Sequence, residues 1–529
     1  MPSDCVTFQN SGYFSKIIID YLNREKVLQP LYNRFPNLES FKQQIEEKQS
    51  NFNNETRHIL VETLKSQYHK LKYAENSLAN IELLKENNTF TITTGHQLNL
   101  FTGPLYFLYK IISTIKLCQQ LKKQYPEFNF VPIYWMATED HDFEEINHFH
   151  LENKVIHWNQ EGNGPVGRRT TEGLDQVYEA FAAHIGIGKN AEQLKNWFKE
   201  AYLNHDNLSD ATRYLAHQLF NSYGLVILDA DNHSLKELFI PHLKHELIKK
   251  DAIIDTQKSF SILKDYTIQV NPREINLFYI SDSLRERITF EENQYRVNNT
   301  SITFSENEII EELKNYPEKF SPNVILRPLY QEVILPNLSY IGGGGELAYW
   351  LELKEVFKTH QITFPILLLR NSVLLATQKQ EQKRLKMNVT WSELFLKKEI
   401  LINQKTLELS KLTFNFGTQR VFLERQFEAL ESLAYKTDKS FVGAVKAQKT
   451  KQLNGLNHLE KRLLKAEKKS HQDTLMRLAL LQSELFPNGS LQERTLNFSE
   501  FYKEYGSDMI EKLLLKLEPL DHKFDILVL

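Results

Sequence analysis

Cysteine is nearly absent from this chain. Cys5 and Cys118 are the only two in 529 residues, so the sequence holds neither a disulfide framework nor a CxxC metal knuckle. That scarcity suits a reducing, cytoplasmic setting. No run of about 18 apolar residues occurs, so no membrane span is expected. The first ten residues, MPSDCVTFQN, lack the basic-then-apolar order of a secretory leader. An excess of one charge is missing too. The 64 Lys+Arg and 67 Asp+Glu leave a net −3, which argues against broad electrostatic capture of nucleic acid. What remains is a chain with 41% hydrophobic and 25% charged residues, well able to bury a core. Its length exceeds one ordinary domain; about two to four units are typical of such a chain.

Residues 12 to about 87 read as helical, with apolar positions such as Ile17, Tyr21 and Leu22, then Ile59, Leu60 and Leu64. The period then changes. Thr89 to Thr94 is short and β-branched, which predicts a buried strand. Gly103-Pro104 predicts a helix opening with proline in its first position. Leu105, Leu108, Ile112 and Ile115 form its inward face, and Cys118 continues that stripe as a core residue. Phe130 to Ala137 predicts the next strand, so this stretch is a βαβ unit with parallel strands. Helical sequence to Ser222 leads through Gly224 into a strand at Leu225–Leu228, and Ile366–Leu369 reads as a further buried strand. Residues 250–335 are mixed, with β-like pieces at Leu277–Ile280 and Tyr295–Phe304, and are expected to be an insertion on the main sheet. Beyond about 390, glycine is scarce and proline does not appear until Pro487. Leu456, Leu459, Leu463 and Ala466 follow a 3-4-3 spacing among Lys and Glu, a short coiled-coil seam that could pair within the chain or between chains.

In an open parallel sheet, ligands bind beyond the carboxyl ends of the strands. Three polar clusters fall at such ends. Gly95, His96 and Gln97 leave the first strand; Glu139, Asp140, His141 and Asp142 leave the second; Asp229 and Asp231 leave the third. Gly95 allows backbone to approach a ligand, and His96, Gln97 and Lys110 can reach phosphate or carboxylate oxygens. The other reading of His96 is a strand-end histidine satisfied by backbone. Three carboxylates around His141 need a cation, an amine or a proton relay to offset their repulsion. The plainer reading is a solvated acidic turn. His141, Glu145 and His148 recur at helical spacing, but the pattern is not H-E-x-x-H, and no metal ligands are assigned. Gly342, Gly343, Gly344 and Gly345 precede Glu346 and a helical stretch, either an anion cradle or a flexible turn. Tyr349 and Trp350 can wall a pocket or fill a core. Arg327 and Arg370, beside apolar strand-like stretches, suit either anion binding or a structural ion pair.

The strings TTGHQLNLFTGPLYFLYK, VPIYWMATEDHDFEEINH, GLVILDAD, ILPNLSYIGGGGELAYW and LFPNGSLQER occur in this order. Together they resemble the bacillithiol-biosynthesis cysteine-adding enzymes, the BshC family, over nearly the whole chain. The resemblance implies an α/β fold. Its core would be a Rossmann-like parallel sheet, like that of class I synthetases and nucleotidylyltransferases, with insertions and an α-helical coiled-coil domain that supports a homodimer. It divides the chain into an N-terminal helical segment packed on the core (1–88), the core (89–390, insertion about 250–335), the coiled-coil domain (391–490) and a segment returning to the core (491–529). It implies a ligase that joins the carboxyl group of L-cysteine to the amine of glucosaminyl-malate in the last step of bacillithiol synthesis, with ATP and Mg²⁺ for carboxyl activation through a cysteinyl-adenylate. His96, Asp140 and His141 would be catalytic, and Asn99 and Tyr106 join the substrate-binding set. Two departures stand out. The class I signature H-x-G-H is here Thr93-Thr94-Gly95-His96, and Lys386-Met387 is only a fragment of K-M-S-K-S. The alternatives are a nucleotidyl-transfer or metal-dependent enzyme acting on another small substrate, and a non-enzymatic coiled-coil scaffold.

Overall fold

The structure is a computed structural model that describes residues 4–152, 154–412 and 414–529. The chain forms two compact units. Among the described residues, the first comprises those within 4–9, 13–374 and 491–527, and the second those within 10–12, 375–490 and 528–529.

The first unit is built on a five-stranded, wholly parallel sheet: β1 (Thr89–His96), β2 (Asn129–Met136), β3 (Val226–Asp229), β4 (Asn337–Gly342) and β5 (Ile366–Leu369). In space they run β3-β2-β1-β4-β5. This is the doubly wound order of an α/β Rossmann-like sheet, and the strand order reverses between β1 and β4. Both faces of such a sheet are covered, which is why its strands read as continuous apolar or β-branched runs. Helix α1 (Tyr106–Gln124) packs on β1 and β2, and helix Leu38–Asn51 packs on β4. Phe41, Ile45, Phe90, Ile92, Leu117, Leu121, Leu338 and Ile366 meet in one core cluster, each large side chain contributing roughly 1.5–3 kcal/mol on full burial. Cys118 lies in that cluster, where burial pushes its thiol well above its usual range, so it packs as a small apolar group.

Two details differ from the sequence expectation. Helix α1 begins at Tyr106, not at Pro104. Phe101, Thr102 and Gly103 all have positive φ (48°, 70° and 64°), and Pro104 bridges to Asn497 as an extended residue, so the chain cannot turn helical until past it. Gly103 is required here, since a Cβ would stand 2.7 Å from that of Asn99. The side-chain amide of Asn497 holds the turn by donating to the carbonyls of both Phe101 and Gly103, at 2.7 Å each.

The second difference lies inside the insertion, in the run Tyr295–Phe304. The insertion forms its own five-stranded antiparallel sheet within the first unit, ordered Thr303–Phe304, Gln294–Val297, Leu284–Glu291, Leu277–Ser281, Phe320–Pro322. The run Tyr295–Phe304 is split in two, because Asn299 takes a left-handed φ of 59° and reverses the chain.

The second unit is helical. Helices Gly417–Ala434 and Lys439–Ser470 form a hairpin whose core is Phe427, Ala434 and Val445, with Leu423 and Val442 against it. The Asp438 carboxylate caps the longer helix by accepting from the amides of Ser440 and Phe441. The 3-4-3 seam is only partly covered: Leu456 and Leu463 are half-buried, whereas Leu459 and Ala466 are exposed. Among the described residues, no helix is long and apolar enough to cross a membrane.

Candidate functional site

The carboxyl ends of β1 and β4 open into a cleft of about 530 Å³. It lies at the strand-order reversal, where a doubly wound sheet leaves a crevice. Gly95, His96, Gln97, Tyr106 and Lys110 supply one side, and Arg327, Tyr340, Glu346 and Tyr349 continue it. Glu139, Asp140, His141 and Asp142 form the facing turn. The insertion closes the rim with Asn271, Arg273, Phe278, Arg285, Arg287 and Asn323.

His96 ends β1 and is 6% exposed. Its ring packs edge-on to Tyr106 at 5.3 Å and against Phe107 at 5.1 Å. Burial, then the nearby Lys110 and Arg370 cations, push its pKa well below the ordinary imidazole range, although a hydrogen bond to the Thr102 backbone works the other way. The ring is therefore neutral. Its Nε2 makes no hydrogen bond among the described residues. A neutral imidazole whose proton sits on Nδ1 keeps a lone pair on Nε2.

Lys110 is buried and does not stand free. Its Nζ donates to the Gly95 carbonyl at 2.6 Å and to Glu346 Oε1 at 2.5 Å, while Tyr340 donates to Glu346 Oε2 at 2.7 Å. Gly95 permits this packing, since a Cβ there would lie 3.2 Å from the Tyr340 hydroxyl and 3.9 Å from Arg327 Nη1. Arg327 opens helix α2 (Arg327–Ile334). Its guanidinium lies among Trp135, Tyr340 and Trp350, between 5.6 and 6.0 Å from the ring centres. Burial works against its charge, but Tyr349, Tyr340 and Glu346 more than offset it, so it remains a cation. Nη1 donates to Gln331 at 3.2 Å, the Tyr349 hydroxyl interacts with the guanidinium, and Nη2 makes no hydrogen bond among the described residues.

The acidic turn is less free than its sequence suggests. The Glu139 carboxylate is paired with the fully buried Lys236, and burial pushes it above the usual range against that cation's pull. Asp140 accepts from the His141 amide at 2.7 Å and from Gln97 Nε2 at 3.0 Å. Burial opposes its charge, but those bonds and Arg285 hold it well below the usual carboxylate range. Gln97 also donates to Glu145 at 2.9 Å. Arg285 donates to His141 Nδ1 at 2.7 Å and stacks 3.9 Å from the centre of the Phe278 ring. Asp142 is exposed and nearest to His141 Nε2, at 3.9 Å. Ligand atoms of Asp140, His141 and Asp142 lie within 4.8 Å of one another. The grouping His141/Glu145/His148 is not formed on one helix, because the helix ends at Ile146 and His148 begins a strand.

Several candidates lie outside the cleft. Asp229 accepts from Thr138 and Ser209, and Asp231 is held by both arms of Arg168 at 2.8 and 2.9 Å. These are internal contacts of the third strand end. Arg370 pairs with the buried Glu493 at 2.8 Å and so ties residues 491–494 to the sheet. Asn99 is buried and donates to the Glu145 carbonyl at 3.2 Å. Trp350 stacks on Tyr340 at 4.5 Å inside the core. Gly342 ends β4, Gly343 caps helix α3 (Gly344–Trp350), and Gly344 and Gly345 form its first turn; none of these four glycines lines the cleft, whereas Glu346 and Tyr349 of α3 do. Sequence reasoning missed Arg273, Arg285 and Arg287. The signal was present for two of them: LRERITFE alternates, and strand geometry places Arg285 and Arg287 on one face.

Comparison with known proteins agrees with this architecture. Residues 1–371 match the family description "Bacillithiol biosynthesis BshC, N-terminal Rossmann-like domain", and residues 373–529 match its "C-terminal coiled-coil domain". A Flavobacterium psychrophilum protein named "Putative cysteine ligase BshC" is 59% identical over 100% of this chain and 99% of its own length. A Flavobacterium johnsoniae protein of the same name is 58% identical over 100% of both chains. A solved structure titled as a putative arginyl-tRNA synthetase from Campylobacter jejuni aligns with 12% identity, 85% of this chain, 99% of that chain and a TM-score of 0.20, a likeness too slight to bear on the fold.

Proposed function

The chain belongs to the bacillithiol biosynthesis BshC family, and from that premise we propose that it is a cysteine ligase, forming an amide between the carboxyl group of L-cysteine and the amine of glucosaminyl-malate. One observation carries the reading. His96 and Arg327 line the same cleft, and each carries a shielded polar atom, Nε2 and Nη2, that makes no hydrogen bond among the described residues. Such atoms cost free energy unless a ligand completes them. The pair asks for a ligand that brings an anion to the guanidinium and an N–H, S–H or O–H to the imidazole. An amino acid at a phosphate or carboxylate site meets both demands.

The rest of the cleft suits the second substrate. Malate carries two carboxylates, and Arg273, Arg285 and Arg287 on the rim offer matching charge. Asp142, exposed on the facing turn, orients the glucosamine amine. In the reaction the amine nitrogen attacks the activated carboxyl carbon, a C–N bond forms, the C–O bond to the leaving group breaks, and the nitrogen loses a proton. His96 Nε2 accepts the hydrogen bond that aligns the attacking or thiol group. His141 passes the released proton to solvent once Arg285, which now holds its Nδ1, turns to a substrate carboxylate. Asp140 stays charged and keeps Gln97 and the turn in place.

ATP fits the charge of this site, because a polyphosphate would satisfy Arg327 and the rim arginines. Asp140 and Asp142 are oxygen donors suited to its Mg²⁺. When bound, ATP supplies the leaving group that activates the cysteine carboxylate. The enzyme works in the cytoplasm. It pairs as a homodimer through the hairpin, whose Phe422, Leu433 and Leu459 are 60%, 55% and 54% exposed. Leu459→Glu should shift sedimentation toward the monomer; an unchanged dimer would place the contact elsewhere.

Product formation from cysteine, glucosaminyl-malate and ATP, followed by mass spectrometry, tests the main reading. Wild type should form the amide and His96→Gln should form at least about 100-fold less. Equal turnover removes His96 from the site. Product with another acyl donor but none with ATP removes the nucleotide.

A further inference from the structure

A second cluster of histidines lies outside the cleft. His242 and His245 sit three residues apart on helix His233–Lys249, so they share a face. Lys250 then takes a left-handed φ of 54°, which turns the chain back and brings Asp251 under His245. His245 Nε2 lies 3.0 and 2.9 Å from the two Asp251 oxygens. His360, just past helix Lys354–Thr359, completes the group, its ring 4.7 Å from that of His245. Ligand atoms of His245, Asp251 and His360 all lie within 4.8 Å of one another.

His242 explains the orientation of His360. The two Nδ1 atoms are 2.9 Å apart, so one donates to the other. With Nδ1 engaged in this way, His360 has only Nε2 left, and that atom is buried with no hydrogen-bond partner among the described residues. A ligand imidazole whose far nitrogen is fixed by an outer partner is the usual arrangement of a protein metal site. Asp255, another carboxylate beside His360, is already engaged by Thr359 at 2.5 Å and Lys258 at 2.6 Å.

We propose that His245, Asp251 and His360 bind one divalent transition-metal ion, with His242 as the outer partner that orients His360. Two imidazoles and one carboxylate favour Zn²⁺, Co²⁺ or Ni²⁺ over Mg²⁺ or Ca²⁺. Three protein ligands leave a position for water. The ion would join the end of one helix, the turn after it and the end of another. The same first helix carries Lys236, which holds Glu139 in the cleft wall, so the ion would brace a support of the catalytic cleft from a distance.

Titration of the chelator-stripped full-length protein with Co²⁺ tests this, followed by visible absorption and competed with Zn²⁺. One Co²⁺ per chain should bind, with d–d bands that Zn²⁺ abolishes. His360→Gln and Asp251→Asn should each weaken binding at least tenfold, and His242→Ala by about tenfold. His141→Ala and the pair His148→Ala/His157→Ala should leave it unchanged. Absence of one-to-one binding by wild type overturns the proposal. So does a Co²⁺ signal that survives both His360→Gln and Asp251→Asn, or one that His141→Ala removes. Circular dichroism without metal identifies any variant that misfolds; Asp251→Asn, at a half-exposed turn, then carries the test.

Discussion

The two walls of the cleft are built on opposite terms. The wall at the β1–β4 reversal is buried and locked: Lys110 to Glu346, Glu346 to Tyr340, Arg327 among three aromatic rings. The facing turn holds more charge per residue, yet it is half in solvent, and Arg285 of the insertion reaches over to it. Burial strengthens each polar contact and also makes each unmatched atom expensive. The locked wall therefore recognises by demand for a ligand, whereas the open wall adjusts to one.

That contrast can be broken most sharply at Arg327. Arg327→Met should lower kcat/KM by about 10²–10³-fold, the loss expected for a preorganised, desolvated donor. Asp142→Asn on the open wall should cost less than about tenfold, since an exposed charge interacts weakly. Steady-state kinetics on both variants decides it, and a larger loss for Asp142→Asn would reverse the assignment of the walls. Next in size is the lock itself. Lys110→Met should destabilise the fold by about 2 kcal/mol in urea denaturation, below the usual 3–5 for a fully buried pair because Glu346 is partly exposed. Adding Glu346→Gln should recover part of that loss; strict additivity would mean that the two groups do not depend on each other.

The smallest effect concerns pH. His96 stays neutral in the folded state, its pKa well below the unfolded value of about 6.5. Below that pH the unfolded chain takes up a proton that the folded chain refuses, so stability falls as pH drops from about 6.5 toward the folded pKa. His96→Gln should flatten this part of the stability–pH curve, measured by thermal unfolding in a series of buffers. A slope as steep as in wild type would mean that His96 is charged when folded.

The parallel sheet was readable because its strands are short, buried on both faces and bracketed by glycine or polar residues: Thr89–Thr94, Val226–Leu228 and Ile366–Leu369 can be little else. The start of α1 was not, since three consecutive left-handed residues there depend on Asn497, nearly four hundred residues away. The same limit applies at the site. His96, Lys110 and the acidic turn announce themselves by position, but nothing near Glu139 reveals that Lys236 neutralises it, and nothing near Asp231 reveals Arg168. Local pattern identifies charges, and only the fold assigns their partners. Thr93 shows the same thing in reverse. It stands where the class I signature has histidine, and the fold gives its hydroxyl to Asn337 at 2.8 Å, fully inside the sheet.

The bond between Asn497 and the Phe101–Gly103 turn also sets an order of events during synthesis. A ribosome adds about 5–20 residues per second, so some 20–80 s separate the emergence of the turn from that of the amide that holds it across 396 positions. Through that interval the loop beside His96 lacks its clasp. A nascent or truncated chain that stops short of Asn497 carries every residue that lines the cleft and still lacks the clasp on the loop beside His96.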